Sequence, residues 1–250
     1  MKILVLSDLH IGNGNSLGAF GWRDDDFISR LELYRELYGI DTVVLNGDVF
    51  EMYKYSFKEI YRHHRKLLDY FFREEFILLR GNHDSAFPGS RDELTVVNSS
   101  GRLIHFEHGH RADFCGYMAV RAFHRIGFRL LRFSSLLGSI HRLARFFTER
   151  YENFDRIQLK KGRYRRYAEG LLKGLDDVIV LGHTHAMESI EFHERGGTKM
   201  MINSGTCSQG RFQAVVLDTE SLEYLFIRDG KRKTSLPLPF GKSRELQAVG

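Results

Sequence analysis

Seven side chains in this sequence have the types and the placement to hold divalent metal ions: Asp8, His10, Asp48, Asn82, His108, His183 and His185. They arrive in five short motifs: Asp8-Leu9-His10, Gly47-Asp48, Gly81-Asn82-His83-Asp84, His108-Gly109 and Gly182-His183-Thr184-His185. Carboxylate, amide and imidazole donors together suit Mn2+, Fe2+ or Zn2+ better than Ca2+ or a thiolate-bound metal. Two such ions side by side hydrolyse phosphate esters, because they clamp the phosphoryl oxygens and activate water.

No single motif carries this reading. Asp8-x-His10 and Gly47-Asp48 are common in plain loops and turns. Gly81-Asn82-His83-Asp84 could be an Asx turn, although its glycine allows the sharp exit that aims three polar side chains away from a strand. Two imidazoles on the short loop at 183–185 are harder to place in a core. The joint signal is one of position, and it depends on the elements around the motifs.

Each motif follows a short apolar run. Residues 2–6, 42–45, 76–79, 103–106 and 178–181 read as strands. Helices are expected at 24–38, where Asp24, Asp25 and Asp26 favour the N-terminus and Gly39 stops the run, and at 55–73. This alternation predicts an α/β fold with a parallel sheet. Open α/β sheets gather ligands at the carboxyl ends of their strands, so motifs distant in sequence can meet there. Beyond residue 176, runs at 199–203, 212–217 and 223–227 leave little room for helices, which predicts antiparallel strands and a second sheet.

At 250 residues, 42% hydrophobic and 28% charged, the chain has room for one large globular domain carrying an insertion. No apolar run is long enough to span a bilayer. The N-terminal run is too short for a signal-peptide core. With two cysteines, Cys115 and Cys207, there is no disulfide framework, and a reducing, cytoplasmic setting is expected. Cys207 reads as a small buried thiol. The net charge of +5 is uneven: residues 111–173 hold 15 Lys or Arg against 5 Asp or Glu, a local +10 that leaves about −5 for the rest.

The set and order of motifs resemble the calcineurin-like metallophosphoesterases, over roughly residues 1–110 and 176–217. The resemblance implies two packed mixed β-sheets flanked by helices, with an inserted helical lid. It implies two divalent ions, most often Mn2+, with Fe2+ or Zn2+ as alternatives. Asp8, His10 and His185 would bind the first ion, Asn82, His108 and His183 the second, and Asp48 would bridge them. His83 would face the substrate and protonate the leaving oxygen, with Asp84 orienting it. The reaction implied is in-line attack of a metal-bridging hydroxide on a phosphomonoester, phosphodiester or pyrophosphate.

The basic segment at 111–174 reads as helical and lies between the fourth and fifth motifs. Arg121, Arg125, Arg129 and Arg132 recur at helical spacing, with apolar residues on the other faces. It could be a solvated helical face, a lid offering apolar surface and arginines to a lipid phosphate or a membrane headgroup, or a nucleic-acid surface. The apolar content favours the lid over nucleic acid. His110, Arg121, Arg125 and Arg129 are the substrate-binding candidates.

An insertion at this place, together with Gly47-Asp48-Val49-Phe50-Glu51, resembles the UDP-2,3-diacylglucosamine pyrophosphatase branch. That branch implies a lipid-linked nucleotide as substrate and peripheral contact with a membrane. Two positions depart from it: the branch usually has Arg where this chain has His83, and Asp where it has His110. A non-catalytic scaffold, like the retromer subunit of this fold, is the rival of another class. Such a scaffold would normally lack ligands that are all present here. A nuclease acting on DNA ends usually carries further domains. His105 reads as structural, His63 and His64 as surface or packing residues, and His193 as part of a polar hairpin. Residues 229–250 are expected to form a loosely held tail.

Overall fold

A computed structural model of the chain describes residues 1–14, 18–113, 160–174, 176–194 and 197–230. Their elements run β1 (Lys2–Leu6), α1 (Asp24–Tyr38), β2 (Thr42–Asn46), α2 (Phe57–His63), α3 (Arg65–Phe71), β3 (Phe76–Leu79), β4 (Glu93–Val97) and β5 (Leu103–Glu107). A short 3-10 turn (His110–Asp113) follows, then α4 (Lys160–Leu172), β6 (Val178–Leu181), β7 (Met187–Glu194), β8 (Gly197–Ser204), β9 (Arg211–Asp218) and β10 (Tyr224–Gly230).

The strands form two mixed five-stranded sheets, ordered β10-β9-β1-β2-β3 and β4-β5-β6-β8-β7. β1, β2 and β3 are parallel in the first, and β5, β6 and β8 are parallel in the second. The central runs are apolar at every position because both faces of each strand are covered. Ile3 and Val5 of β1, Val44 of β2, and Val178 and Val180 of β6 meet between the sheets. Leu4, Leu6, Val43 and Leu45 face outward onto Phe27, Leu31, Tyr34 and Phe71 from α1 and α3. On the far side, Ile179, Leu181 and Met201 pack against Tyr164, Ala168 and Leu172 of α4. The result is a four-layer sandwich, helix–sheet–sheet–helix, in agreement with the expected fold class.

Helix α1 has the expected bounds. Gly39 ends it in the left-handed conformation, at φ 60°, and donates its N–H back to Arg35 and Glu36 carbonyls. The helix expected at 55–73 is instead two. Ser56 and Glu59 form a reciprocal capping box that starts α2. His64 then leaves helical geometry (φ −116°, ψ 38°), and its Nδ1 lies 2.6 Å from Asp24 Oδ1. The contact with partly exposed Asp24 at the start of α1 accompanies this break in helical periodicity.

The C-terminal strands also correct the reading. They do not make a second sheet among themselves: β9 pairs antiparallel with β1, and β10 follows it, both in the first sheet. The second sheet draws β4 and β5 from the first half of the chain and β6, β7 and β8 from the second. Asp229 and Gly230, expected in the tail, lie in β10, where Asp229 is held by Tyr34 Oη at 2.7 Å and by Arg30. Of the basic segment, α4 and the 3-10 turn are described. Cys115, Arg121, Arg125, Arg129 and Arg132, with the rest of 114–159, lie outside the described residues, as does 231–250. No helix among the described residues is long and apolar enough to cross a membrane.

Candidate metal centre

All five motifs leave the carboxyl ends of parallel strands: β1, β2 and β3 in one sheet, β5 and β6 in the other. The two sheet edges are tied together at this point. Asn46 Nδ2 donates to Val180 O at 3.2 Å, and His108 Nδ1 donates to Asn46 O at 2.8 Å. His183 N donates to Asp8 Oδ2 at 2.9 Å, and Ser7 Oγ lies 2.8 Å from Ser204 Oγ. Within the first sheet, Asp8 N and His10 N donate to the carbonyls of Gly47 and Asp48.

The exits are sharp. Asp8, His10, Asp48, His183 and His185 all have φ between 50° and 67°. Side-chain-bearing residues enter this left-handed region at a cost of order 1–3 kcal/mol each. Five such residues at one locus mark a site whose geometry is imposed by its surroundings. Close approach adds to this. A Cβ on Gly47 would lie 2.5 Å from the His108 ring, and one on Gly81 would lie 2.2 Å from Asp48 N and Oδ1.

Three overlapping donor sets gather here, each with its ligand atoms within 4.8 Å of one another: a first of Asp8, His10 and His185, a second of Asp48, His108 and His183, and a third of His10, Asp48 and His83 that joins them. In the first, His185 Nε2 is 3.0 Å and His10 Nε2 3.7 Å from Asp8 Oδ1. In the second, His108 Nε2 is 3.2 Å from Asp48 Oδ2. Asn82 is buried on the loop after β3, whose next residue, His83, donates its N–H to Asp48 Oδ1.

The donors fit divalent ions by a direct test. Asp8 Oδ2 is engaged by Ser7 Oγ and His183 N, and Asp48 Oδ1 by His83 N. The other oxygen of each carboxylate is left to the histidines. Asp8 Oδ1 and His108 Nε2 are buried atoms without a hydrogen-bond partner. His108 Nδ1 donates to a carbonyl, so Nε2 is the ring atom left to face a metal.

The electrostatics agree. Burial would raise both aspartates, yet His185 and His108 hold Asp8, and His108 and His83 hold Asp48, well below the usual carboxylate range. Burial would lower His108, but Asp48 and Asp8 push it up to about 10. His10 is pushed down to about 3 by burial and by His83. The buried carboxylates and imidazoles thus pair with one another, and a divalent cation would displace the histidine protons on binding.

His83 Nε2 lies 3.9 Å from Asp48 Oδ2, at the mouth of the pocket. Its orienting partner is Glu51, not Asp84: His83 Nδ1 donates to Glu51 Oε1 at 2.8 Å. Asp84 instead accepts from Gly81 N and Val49 N, each at 2.7 Å, and from Phe50 N at 3.3 Å. It clamps the Asn82-His83 loop against the Asp48 loop. Buried Glu51 also faces His10 Nδ1 at 3.8 Å and Lys54 Nζ at 3.3 Å. Burial opposes ionisation of both partners, but Glu51 and Asp48 raise His83 to about 9, and His83 and Lys54 hold Glu51 low. Glu51 is a site residue missed from sequence. It was visible in Gly47-Asp48-Val49-Phe50-Glu51, yet nothing local shows that it points at His83.

The calcineurin-like phosphoesterase family profile matches residues 1–187. The chain belongs to this family. Membership and the clustered donors together support a metal-dependent hydrolase of phosphate esters. No curated protein matches the chain at a significant level. Among solved structures, the chain is similar to wild-type Vps29 of Entamoeba histolytica complexed with Zn2+, with 18% identity, 94% of this chain and 95% of that one covered, and a TM-score of 0.47. A metallophosphoesterase from Sphaerobacter thermophilus is similar at 11% identity, covering 93% and 90%, with a TM-score of 0.44. A conserved protein of Streptococcus pneumoniae TIGR4, described as a predicted phosphoesterase, is similar at 16% identity, covering 91% and 97%, with a TM-score of 0.38.

The remaining candidates of this calcineurin-like phosphoesterase separate by position. His110 sits beside the second donor set, its ring 5.7 Å from that of His108, and burial and His108 push it down to about 4. His105 is buried on β5 with Thr95 and Glu107. His64 packs against Phe20, and His193 is exposed on β7. Cys207 is a buried thiol that donates to Gln213 O and is pushed up to about 12 by burial.

Proposed function

We propose that this chain is a dinuclear phosphoesterase that hydrolyses a phosphomonoester, phosphodiester or pyrophosphate bond. The observation that carries the reading is the pair of donor sets, Asp8–His10–His185 and Asp48–His108–His183, converging at one edge of both sheets. Asp8, His10 and His185 would hold one ion. His108, His183 and Asn82 would hold the other, and Asp48 would serve both. Mn2+ is the first ion to test, with Fe2+ and Zn2+ beside it.

When bound, two divalent cations supply Lewis acidity toward the phosphoryl oxygens and a lowered pKa for water. The chain supplies the rest. His83, held at Nδ1 by Glu51, keeps Nε2 toward the pocket mouth and gives its proton to the leaving oxygen. Its ring is partly exposed, so a substrate can reach it. Tyr53 flanks it at 4.4 Å between ring centroids, which limits its tilt. Asp84 keeps the loop in register with Asp48. His110, beside His108, is the nearest described candidate for contact with the rest of the substrate.

The test is a hydrolysis screen with added Mn2+. It sets p-nitrophenyl phosphate and bis-p-nitrophenyl phosphate beside a UDP-diacylglucosamine analogue and single-stranded DNA. Hydrolysis of the simple esters is expected. Inactivity on every arm with both ions bound would sink the enzyme reading and favour the scaffold. Activity on the simple esters alone would remove the lipid-linked nucleotide from consideration.

A further inference from the structure

We infer that Tyr164 on α4 is a positioning residue that sets the spacing of His108 and His183, and with it the affinity of the second metal site. The inference rests on the dinuclear reading above. Tyr164 is buried, and its hydroxyl lies 3.2 Å from two carbonyl oxygens, His108 O and Gly182 O. A phenol has one proton, so the donation is shared between them. One carbonyl belongs to a ligand itself and the other to the residue before a ligand. The two come from different strands, β5 and β6.

Neither carbonyl needs Tyr164 to be satisfied. His108 O accepts from Gly182 N at 3.2 Å, and Gly182 O accepts from Thr184 N and Asn203 Nδ2, each at 2.8 Å. The hydroxyl is therefore not rescuing a stranded acceptor; it adds a fixed point between the two loops. The ring sets a second limit. It lies within 20° of parallel to the His183 imidazole, with centroids 6.1 Å apart.

The socket for this hydroxyl is fitted. Gly109, at φ 86°, is the residue after His108, and a Cβ there would lie 2.3 Å from Tyr164 Oη. Helix α4 does not depend on the hydroxyl for its own docking, because Ala168 and Leu172 bury fully against β6 and β8. Removing the oxygen alone should leave the fold intact and loosen the His108–His183 pair.

The experiment titrates Zn2+ into the full chain against a chromophoric chelator, for the wild type, Tyr164→Phe and Tyr164→Ala. His10→Ala and His108→Ala assign each binding step to its site. Tyr164→Phe should bind two ions, with the site that His108→Ala removes weakened about fivefold. The other site should shift by less than about twofold, and the metal-free melting temperature should not move. Tyr164→Ala should weaken the same site further. Unchanged affinities in Tyr164→Phe would overturn the proposal. So would equal weakening of both sites with a lowered metal-free melting temperature, which marks general destabilisation. A wild type that binds fewer than two ions would bring down the dinuclear reading and this proposal together, an outcome distinct from the other two.

Discussion

His83 Nδ1 donates to Glu51 Oε1 at 2.8 Å, and both residues stand on loops that leave the same sheet. The carboxylate determines which ring nitrogen faces the pocket. It also faces His10 Nδ1, so one buried acid serves both a proposed metal ligand and the proposed proton donor. Glu51→Gln keeps the volume and removes the charge. It should lower turnover by about 10- to 100-fold, the usual effect of losing such a supporting partner. His83→Ala should cost more, about 100- to 10,000-fold, with metal content retained. Steady-state kinetics with metal analysis of the same samples checks both. Loss of metal in His83→Ala would make His83 structural.

The two aspartates should differ in what they hold. Asp8 belongs to one donor set, whereas Asp48 shares one with His108 and His183 and another with His10 and His83. Asp8→Asn should lose one ion and Asp48→Asn both, as counted by elemental analysis after gel filtration. Removing metal with a chelator should abolish hydrolysis, and returning Mn2+ should restore it. Equal loss in the two variants would argue against Asp48 as the bridge.

The clustering of the candidate donors was legible because residue type and place agreed: each followed an apolar run, and the runs were strands buried on both faces. The same logic failed where the pattern was weak. β4 and β7 are edge strands whose short apolar stretches, Leu94–Val97 and Ile190–Phe192, are interrupted or flanked by polar residues such as Glu93, Glu188 and Glu191, so their strand signal is weaker than in the central runs. The roles of Glu51 and Tyr164 were illegible for another reason. Glu51 reaches His83 because a bridge between Ile11 and Phe50 turns its loop inward, and Tyr164 reaches His108 O because α4 docks on β6. Both contacts are tertiary. The left-handed backbone at Asp8, His10, Asp48, His183 and His185 leaves no trace in residue type either, since the side chain that chemistry requires overrides the glycine that conformation prefers.

Gly81 tests how tightly the loops are pressed together. It does not occupy the left-handed region, so its only steric constraint is the 2.2 Å approach of a Cβ to Asp48 N and Oδ1. Gly81→Ala must push the Asn82 loop away from Asp48. The cost should be about 1–3 kcal/mol, typical of overpacking, with weakened metal binding. Denaturant unfolding and metal titration read the two effects. A variant with wild-type stability and full metal content would show that the approach is slack.

The pH dependence of stability has a clear contributor away from the ligands' own side chains. His105 and Glu107 sit on the outer face of β5, with His105 Nε2 3.6 Å from Glu107 Oε2. Thr95, Glu93, Arg111, Tyr167 and Asp176 complete their surroundings. Burial acts to lower His105, but Glu107, Asp176 and Glu93 raise it above its ordinary value of 6.5. Burial acts to raise Glu107, but His105, Tyr167 and Arg111 hold it below 4.5. A raised histidine stabilises the fold fully below its unfolded pKa and loses that contribution as pH rises through the folded value. A lowered glutamate stabilises above its unfolded pKa and loses that contribution as pH falls through the folded value. The pair therefore contributes most between the two ordinary values. The melting-temperature gap between wild type and His105→Gln should be widest near about pH 5.5 and shrink toward about pH 9. A gap that stayed flat, or widened with rising pH, would mean that His105 is neutral in the fold and that its contact with Glu107 is packing alone.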